Sequence, residues 1–252
     1  ENGTIFSMGS GYWDGLRITT DCRSRAVGFE IGQAKPLHSI GVSAGPVADS
    51  TWRHVAATWD GNEMRLYIDG LLAAAKPHAR PFVAPPTGAK MRVGYAAHGI
   101  GSVVLDVAEV SLHDGALSAD AIVRSYFGGK IDGVLAARLA TAGEALVRGD
   151  SVAAAHGFRT AVDGAADQPP RARFLAIRGL SRALNAQRRH NEATAALLEI
   201  VSEPEVPEEL VQQLRSGAIG PVPTAVLETL LKTPSLHEKD RILILRQLVA
   251  AY

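Results

Sequence analysis

Apolar and polar residues alternate along much of the first half of the chain. Between residues 64 and 70, Met64, Leu66 and Ile68 fall on one face, and the residues between them fall on the other. This period of two is typical of a strand with one face toward a core. The segment 52–59 precedes it, and Asp60-Gly61 lies between the two. Because glycine accepts positive φ, an Asp-Gly pair at this place predicts an antiparallel hairpin.

Similar short segments recur between glycine, proline and Asp-Gly turns. Further strands are predicted at 16–19, 26–31, 39–43, 90–95 and 103–112, and Asp69-Gly70 turns the chain into another at 71–74. The stretch 76–88 holds four prolines and is predicted to be a loop, since proline lacks the N–H that a central strand needs. About eight short strands with few helical stretches are typical of a sandwich or a barrel.

The pattern changes near residue 128, where Gly128-Gly129 precedes a segment rich in Ala, Leu, Arg and Glu at helical spacing. We predict five to seven helices from residue 131 onward. They include two antiparallel pairs and a final helix, at 136–148 with 151–163, at 171–187 with 191–201, and at 238–252. Ser118 is a suitable N-cap for a short helix that reaches about residue 127. The sequence therefore predicts a β domain at 1–127 and an all-α domain at 128–252.

The second helices of the two pairs share a pattern. Ala154 is followed four residues later by Phe158, and Ala193 by Leu197. Small residues suit close helix approach, and the larger residue one turn on fills the space beside it. The pattern resembles tetratricopeptide-type helical hairpins, although the equivalent positions are 39 residues apart instead of the usual 34. The resemblance implies a concave surface for a partner peptide or protein; the alternative is a helical bundle that only bridges domains.

Composition and charge exclude several functions. Lys plus Arg is 26 and Asp plus Glu is 26, so the formal net charge is zero. Without a basic excess to neutralise phosphates, we expect no nucleic-acid partner. No apolar run approaches the ~20 residues that a membrane-spanning helix needs. The single cysteine, Cys22, excludes an intrachain disulfide and a multi-cysteine metal site.

Two motifs in the first half resemble the laminin-G-like, or concanavalin A-like, jelly-roll family of bacterial multidomain proteins. That family's core hairpin reads Trp-x-His-Val-Ala-x-Thr-Trp-Asp-Gly and then Leu-Tyr-Ile-Asp-Gly, here residues 52–61 and 66–70. Its closing pattern, Glu-Val followed by Ala-Leu-Ser before a short helix, is here Glu109-Val110 and 116–118. The resemblance covers about half of the chain. It implies an antiparallel β-sandwich of the jelly-roll type, which all-α helical hairpins would follow.

Members of this family usually have several strands ahead of the position of Glu1, and their domains are larger than the ~127 residues seen here. A sheet without those strands would have unpaired edges. We therefore expect the missing strands to lie upstream in a longer polypeptide or to come from another chain.

The resemblance implies glycan or protein binding, in an accessory region of a larger secreted, periplasmic or cell-surface bacterial protein. Some relatives are glucanases with a Glu-x-Asp-x-x-Glu strand, and this spacing does not occur here. We therefore expect no enzyme activity in this chain and no cofactor other than calcium. Two alternatives stay open. The chain is either an accessory part of a polysaccharide-active enzyme whose catalytic domain lies elsewhere, or a purely structural scaffold between neighbouring domains.

The glycine-rich loop 9–15 contains the most suggestive candidate site. Tyr12 and Trp13 stand beside Asp14, and aromatic rings that stack on sugar faces often lie beside an acid that accepts hydroxyl hydrogen bonds. His98, in a second loop, is a candidate for the same rim. In this hypothesis the loop is a flexible tip; the alternative is an ordinary hairpin tip with a packed tryptophan.

Laminin-G-like domains often bind calcium at one rim, and Asp60 and Asp69 are the candidate ligands because calcium prefers oxygen donors on loops. Turn chemistry alone also explains both Asp-Gly pairs. His54, inside the core hairpin, is predicted to be a hydrogen-bonded structural histidine. Of Trp52 and Trp59, one is expected in the core and the other half covered.

Overall fold

The structure is a computed structural model. It describes residues 2–9, 13–21, 23–33, 39–45, 47, 52–79, 83–95, 104–201, 223–232, 236 and 238–251. The chain forms two compact units, with the main division between Ser118 and Ala119. The first unit is built from strands and the second from helices, as the change of hydrophobic period predicted.

Antiparallel strands form two sheets in the first unit. In the described part of the chain these strands are β1 (Asn2–Met8), β2 (Leu16–Asp21), β3 (Ala26–Ile31), β4 (Ile40–Ala44), β5 (Val55–Trp59), β6 (Glu63–Ile68), β7 (Leu71–Pro77) and β8 (Met91–Val93). One sheet has the order β4-β3-β2-β1-β8 and the other the order β5-β6-β7. Every pairing is antiparallel.

The two sheets bury their facing surfaces in one core. Met64 and Leu66 of β6 are 0% exposed and pack with Phe29, Ile31 and Val42 of the five-stranded sheet. Burial of each such side chain contributes roughly 1.5–3 kcal/mol. The face that alternation assigned to the core is therefore the buried one, and the antiparallel β-sandwich is confirmed.

The turn between β6 and β7 is the two-residue hairpin that the sequence indicated. Asp69 and Gly70 have φ values of 52° and 81°, so both central residues are left-handed, as a type I′ turn requires. Aspartate is among the few residues with a side chain that tolerate this region. The pair connects Ile68 directly to Leu71, which face each other in the ladder.

The strand predicted at 103–112 is wrong for the residues that the structure describes there, since 104–112 contain no strand. Their apolar side chains stay in solvent: Val104, Val107, Val110 and Leu112 are all exposed. Alternation gives a segment two faces, but a strand also needs a neighbour to complete its hydrogen bonds. The described part of the segment has no such neighbour in either sheet.

Helices make up the second unit. Those that the structure describes are α1 (Ala119–Tyr126), α2 (Gly133–Val147), α3 (Ser151–Asp163), α4 (Pro170–Ala186), α5 (His190–Val201), α6 (Thr224–Leu231) and α7 (Glu238–Ala251). The two predicted pairs correspond to α2 with α3 and α4 with α5, and consecutive helices from α1 to α5 pack on one another. The short helix α1 belongs to this unit.

Local chemistry explains where these helices begin. The Asp132 carboxylate accepts hydrogen bonds from the backbone N–H groups of Val134 and Leu135, at 2.8 and 3.1 Å. Asp150 caps α3 in the same way through Ala153, at 2.9 Å. An N-cap of this kind satisfies donors that the first helical turn leaves open. Helix α4 begins instead with Pro170, whose missing N–H costs nothing at that position.

The helices approach most closely at two glycines. A Cβ on Gly179 of α4 would lie 2.3 to 2.6 Å from ring atoms of Phe158, and one on Gly157 of α3 would lie 2.9 Å from Cβ of Ala142. Phe158 is 0% exposed, so its ring has little room to retreat. Ala154 and Ala193, the small residues that the repeat pattern predicted at close contacts, are buried as well.

Replacing Gly179 with alanine is therefore expected to destabilise the helical unit by roughly 1–3 kcal/mol, because the new methyl group overpacks the Phe158 ring. Alanine has a higher helix propensity than glycine by about 1 kcal/mol, and this gain offsets only part of the cost of overpacking. Thermal unfolding followed by circular dichroism measures the change. Gly133→Ala is the matched control, since its Cβ meets nothing within 4 Å. Equal stability of the two variants would contradict the close contact.

Candidate ligand-binding face of the β-sandwich

The outer face of the five-stranded sheet carries a polar row that crosses all five strands. In the register of the sheet, Gly41 pairs with Glu30, Glu30 with Arg17, Arg17 with Ser7, and Ser7 with Arg92. Arg17 stands between Leu16 and Ile18, and Glu30 between Phe29 and Ile31, all of which pack in the core, so alternation turns the row outward. The row brings one acidic and two basic side chains together from positions far apart in sequence.

An ion pair lies at the centre of this row. Arg17 Nη2 lies 3.0 Å from Glu30 Oε2, and Arg17 is only 4% exposed. The Ser39 hydroxyl donates to the same carboxylate oxygen at 2.8 Å. Beside them the Ser7 hydroxyl donates to the carbonyl oxygen of Tyr95 at 3.2 Å. Arg17 and Ser7 are buried. A ligand that binds this face would therefore contact residues beyond these two side chains, at the ends of the face.

Three glycines lie just beyond the ends of β1, β2 and β3, on one side of the row. Gly9, Gly15 and Gly32 each lie two residues beyond a member of the row, and Gly32 N–H donates to the Gly15 carbonyl at 3.0 Å. Gly9 and Gly15 belong to the loop between β1 and β2, and Asp14 of that loop lies against Gly9 and Gly32. A Cβ on Gly32 would lie 2.3 Å from the backbone nitrogen of Asp14, and one on Gly9 would lie 2.7 Å from Asp14 Oδ1.

This contact holds Trp13 and Asp14 against the end of the sheet. Both residues are half-buried, and the Gly15 N–H donates to the Val83 carbonyl at 2.8 Å. The sequence suggested a flexible tip, whereas the described part of the loop is packed against backbone. A half-exposed indole beside a carboxylate, both held in place, can stack on an apolar ring face and accept hydroxyl hydrogen bonds.

Two of the candidate rim residues, Tyr12 and His98, lie outside the described residues. Trp13 and Asp14 lie together at the glycine end of the row. Sequence reasoning did not single out Arg17, Glu30 or Arg92. Arg17 and Glu30 each stand between two apolar residues of a strand, and that signal could have assigned them to the outer face.

The candidate calcium ligands take part in turns and ion pairs. The Asp60 carboxylate accepts hydrogen bonds from the N–H groups of Asn62 and Glu63, both at 2.9 Å, and these bonds hold the pKa of Asp60 below its usual value. Asp69 Oδ2 lies 2.6 Å from Arg53 Nη1. Among the described residues, no three His, Cys, Asp or Glu side chains are grouped to hold a metal ion. Calcium stays a prediction.

His54 lies half-buried just before β5, beside Asp69. Its backbone N–H donates to Asp69 Oδ1 at 3.3 Å, and its carbonyl accepts from the Asp69 N–H at 2.8 Å. Burial lowers the pKa of its imidazole below 6.5, although the negative charges of Asp69 and Glu109 act in the opposite direction. This environment is that of a structural histidine.

The two tryptophans of the hairpin motif have different surroundings. Trp59 packs against the core and donates from Nε1 to the His78 carbonyl at 3.0 Å. Trp52 precedes β5 and is 66% exposed, so it is less covered than the alternation suggested. Alternation assigns a side chain to one face of a sheet only within a strand, and Trp52 lies outside β5.

The fold is an antiparallel β-sandwich followed by helices. Residues 2–123 match the family model of the concanavalin A-like lectin/glucanases superfamily. This supports the jelly-roll assignment of the sandwich, and the match continues into helix α1. No family model supports the tetratricopeptide-like interpretation of the helices, which stays a prediction.

Other comparisons gave little. No curated protein sequence matches the chain significantly. A solved structure of an S-layer domain-containing protein (residues 221–444) from Clostridium thermocellum is similar at 20% identity, over 50% of this chain and 63% of that chain, with a TM-score of 0.28. The match therefore spans less than two thirds of that protein chain. None of the helices that the structure describes has the length and apolarity to cross a membrane.

Replacing Gly32 with alanine is expected to displace the Trp13–Asp14 loop, because the methyl group would collide with backbone that has no rotamer to change. The expected loss of stability is roughly 1–3 kcal/mol, with a change in tryptophan fluorescence as Trp13 moves. Thermal unfolding and emission spectra measure both. Gly115→Ala, whose Cβ meets nothing within 4 Å, is the control; wild-type behaviour of both variants would refute the contact.

The lowered pKa of His54 predicts that the sandwich loses stability in acid. The native state binds the imidazole proton more weakly than the unfolded chain. The contribution of His54 is therefore present above about pH 6.5 and is lost as the pH falls through the lower, native pKa. Unfolding midpoints measured between about pH 7.5 and about pH 5 should fall less for His54→Gln than for the wild type.

His113→Gln is the control for that comparison, since it removes an exposed histidine of the same unit. If both variants show the same change in pH dependence, the burial of His54 is not its cause.

Proposed function

We propose that the β-sandwich is a non-catalytic module that binds a glycan or a protein ligand at the glycine end of its outer face. In this proposal the chain is an accessory region of a larger exported bacterial protein, and the helical segment is a tetratricopeptide-like scaffold that links the sandwich to neighbouring domains. The single observation that carries the proposal is the placement of Trp13 and Asp14 against Gly9 and Gly32 at one end of the sheet.

Preorganisation supports binding at this place. Ordering a flexible loop at the moment of binding costs free energy, and a loop that is already held avoids that cost. Gly9 and Gly32 let the backbone of the loop approach the sheet more closely than any other residue would permit. The indole and the carboxylate therefore present a fixed pair of contacts, one apolar and one hydrogen-bonding.

The charge arrangement supports binding over catalysis. Glu30, the acidic member of the row, is engaged by Arg17 and Ser39. A retaining glycosidase needs two carboxyl groups about 5–5.5 Å apart that flank the scissile bond, and the chain lacks the Glu-x-Asp-x-x-Glu spacing that supplies them in related folds. Hydrogen-bond capture of hydroxyl groups by Asp14 needs no second carboxylate.

Affinity gel electrophoresis with soluble polysaccharides, preceded by a glycan array to choose them, tests the proposal. Trp13→Ala is expected to abolish retention by the gel, because a stacking aromatic contributes much of the contact with a sugar face. Trp52→Ala is the control, since it removes an exposed indole outside the candidate site, and it should leave retention unchanged. Asp14→Asn, which keeps the shape of the side chain, should weaken retention.

If the Trp13→Ala variant still binds the polysaccharide, the glycan-binding site lies elsewhere on the protein. If no glycan is retained by the wild type, the glycan form of the proposal fails and a protein ligand becomes the alternative to pursue.

A further inference from the structure

Strand β8 brings a second arginine to the outer face of the five-stranded sheet. Arg92 pairs with Ser7 in the ladder between β8 and β1, and Ser7 pairs with Arg17, so the three side chains share one face. Arg92 extends toward the glycine end of that face, since its Nη1 lies 3.5 Å from the carbonyl oxygen of Gly9, two residues beyond Ser7. The guanidinium therefore lies beside the glycine against which Asp14 packs.

One edge of the Arg92 guanidinium is left for a ligand. Nη1 donates to the carbonyl oxygens of Gly9 and Lys90, at 3.5 and 3.2 Å. Among the residues that the structure describes, Nε and Nη2 have no partner, and neither is one of the buried nitrogens without a hydrogen bond, so both reach solvent. Their N–H groups form the side edge of the planar guanidinium, and this fork matches the two oxygens of a carboxylate.

Positive charge exceeds negative charge at the glycine end. Arg92 forms no ion pair with a described carboxylate. Lys90 directly precedes β8, and the register of β8 with β1 places it level with Gly9. Its side chain is exposed and likewise has no ion pair in the described part of the chain. Two cations therefore stand near the one carboxylate of Asp14, and the excess charge attracts an anion.

We propose that the ligand of this face is an acidic glycan, and that the side edge of Arg92 binds the carboxylate of a uronic acid residue. The inference rests on the proposed glycan-binding function of Trp13 and Asp14. A uronic acid has an apolar ring face on which an indole can stack, hydroxyl groups for Asp14, and a planar carboxylate for the guanidinium. An acidic peptide fits less well, because its carboxylates are carried on flexible chains without a rigid apolar ring.

Isothermal titration calorimetry of the 252-residue chain with polygalacturonate, alginate and hyaluronate tests the inference. The methyl ester of each polymer has the same sugar backbone without the charge and is the matched control ligand. At least one of the three uronans should bind about tenfold more tightly than its ester, the effect of losing a charge-assisted hydrogen-bond pair. Binding of the uronan should weaken as ionic strength rises, because exposed charges are screened by salt.

Arg92→Gln should lower the affinity for the uronan about tenfold, to that of the ester, and should leave the affinity for the ester unchanged. A merely structural role of Arg92 would weaken both ligands. Arg92→Lys should restore part of the loss, since it keeps the charge without the planar fork. Arg23→Gln is the control variant and should bind as the wild type does, because Arg23 is exposed and follows β2 at the end opposite Gly15.

Circular dichroism and thermal unfolding of each variant check that the sandwich remains folded. Equal affinity for uronans and esters, or an equal loss of both ligands in Arg92→Gln, would overturn the inference. The proposed glycan site would survive that outcome if Trp13→Ala still abolished binding. Tighter binding of polyglutamate or of dextran sulfate than of every uronan would also overturn the inference. Absence of binding to any glycan, charged or neutral, would overturn both the inference and the glycan form of the proposed function.

Discussion

Burial of one face of strand β6 between two sheets is the constraint on which the first unit depends. Met64 and Leu66 are 0% exposed, and side chains along a strand alternate with a period of two. Once these residues face the five-stranded sheet, the register turns a defined set of its residues outward. The outward positions of Glu30 and of its ladder partner Arg17 follow from the burial of Phe29 and Ile31 in the same core, since a slip of one residue would reverse every face.

The centre and the glycine end of the outer face have different roles. Arg17 and Glu30 satisfy each other in the middle of the sheet, which avoids the large cost of a buried unpaired charge. The glycines beyond them supply no side chain, and the loop that carries Trp13 and Asp14 occupies the space. The charges at the centre of the face therefore satisfy each other. The groups proposed to contact a ligand, Trp13 and Asp14, lie at the glycine end.

The helical unit illustrates how far sequence patterns reach. Helix pairs, their turns and the buried small residues Ala154 and Ala193 were predictable, because helical spacing and capping are local properties. The contact between Gly179 and Phe158 was not, since it joins helices whose relative position depends on packing of the whole unit.

The sequence by itself determined the order of strands and helices, the Asp-Gly turns, and the face of β6 that enters the core, because each depends on neighbouring residues and on a fixed period. It also identified Trp13 and Asp14 as candidates from residue type alone. Only the tertiary structure decided that these residues lie against Gly9 and Gly32, that Arg17 pairs with Glu30, and that residues 104–112 form no strand. Each of those features depends on residues that are distant in the sequence. Which of them come into contact is determined by how the sheets assemble.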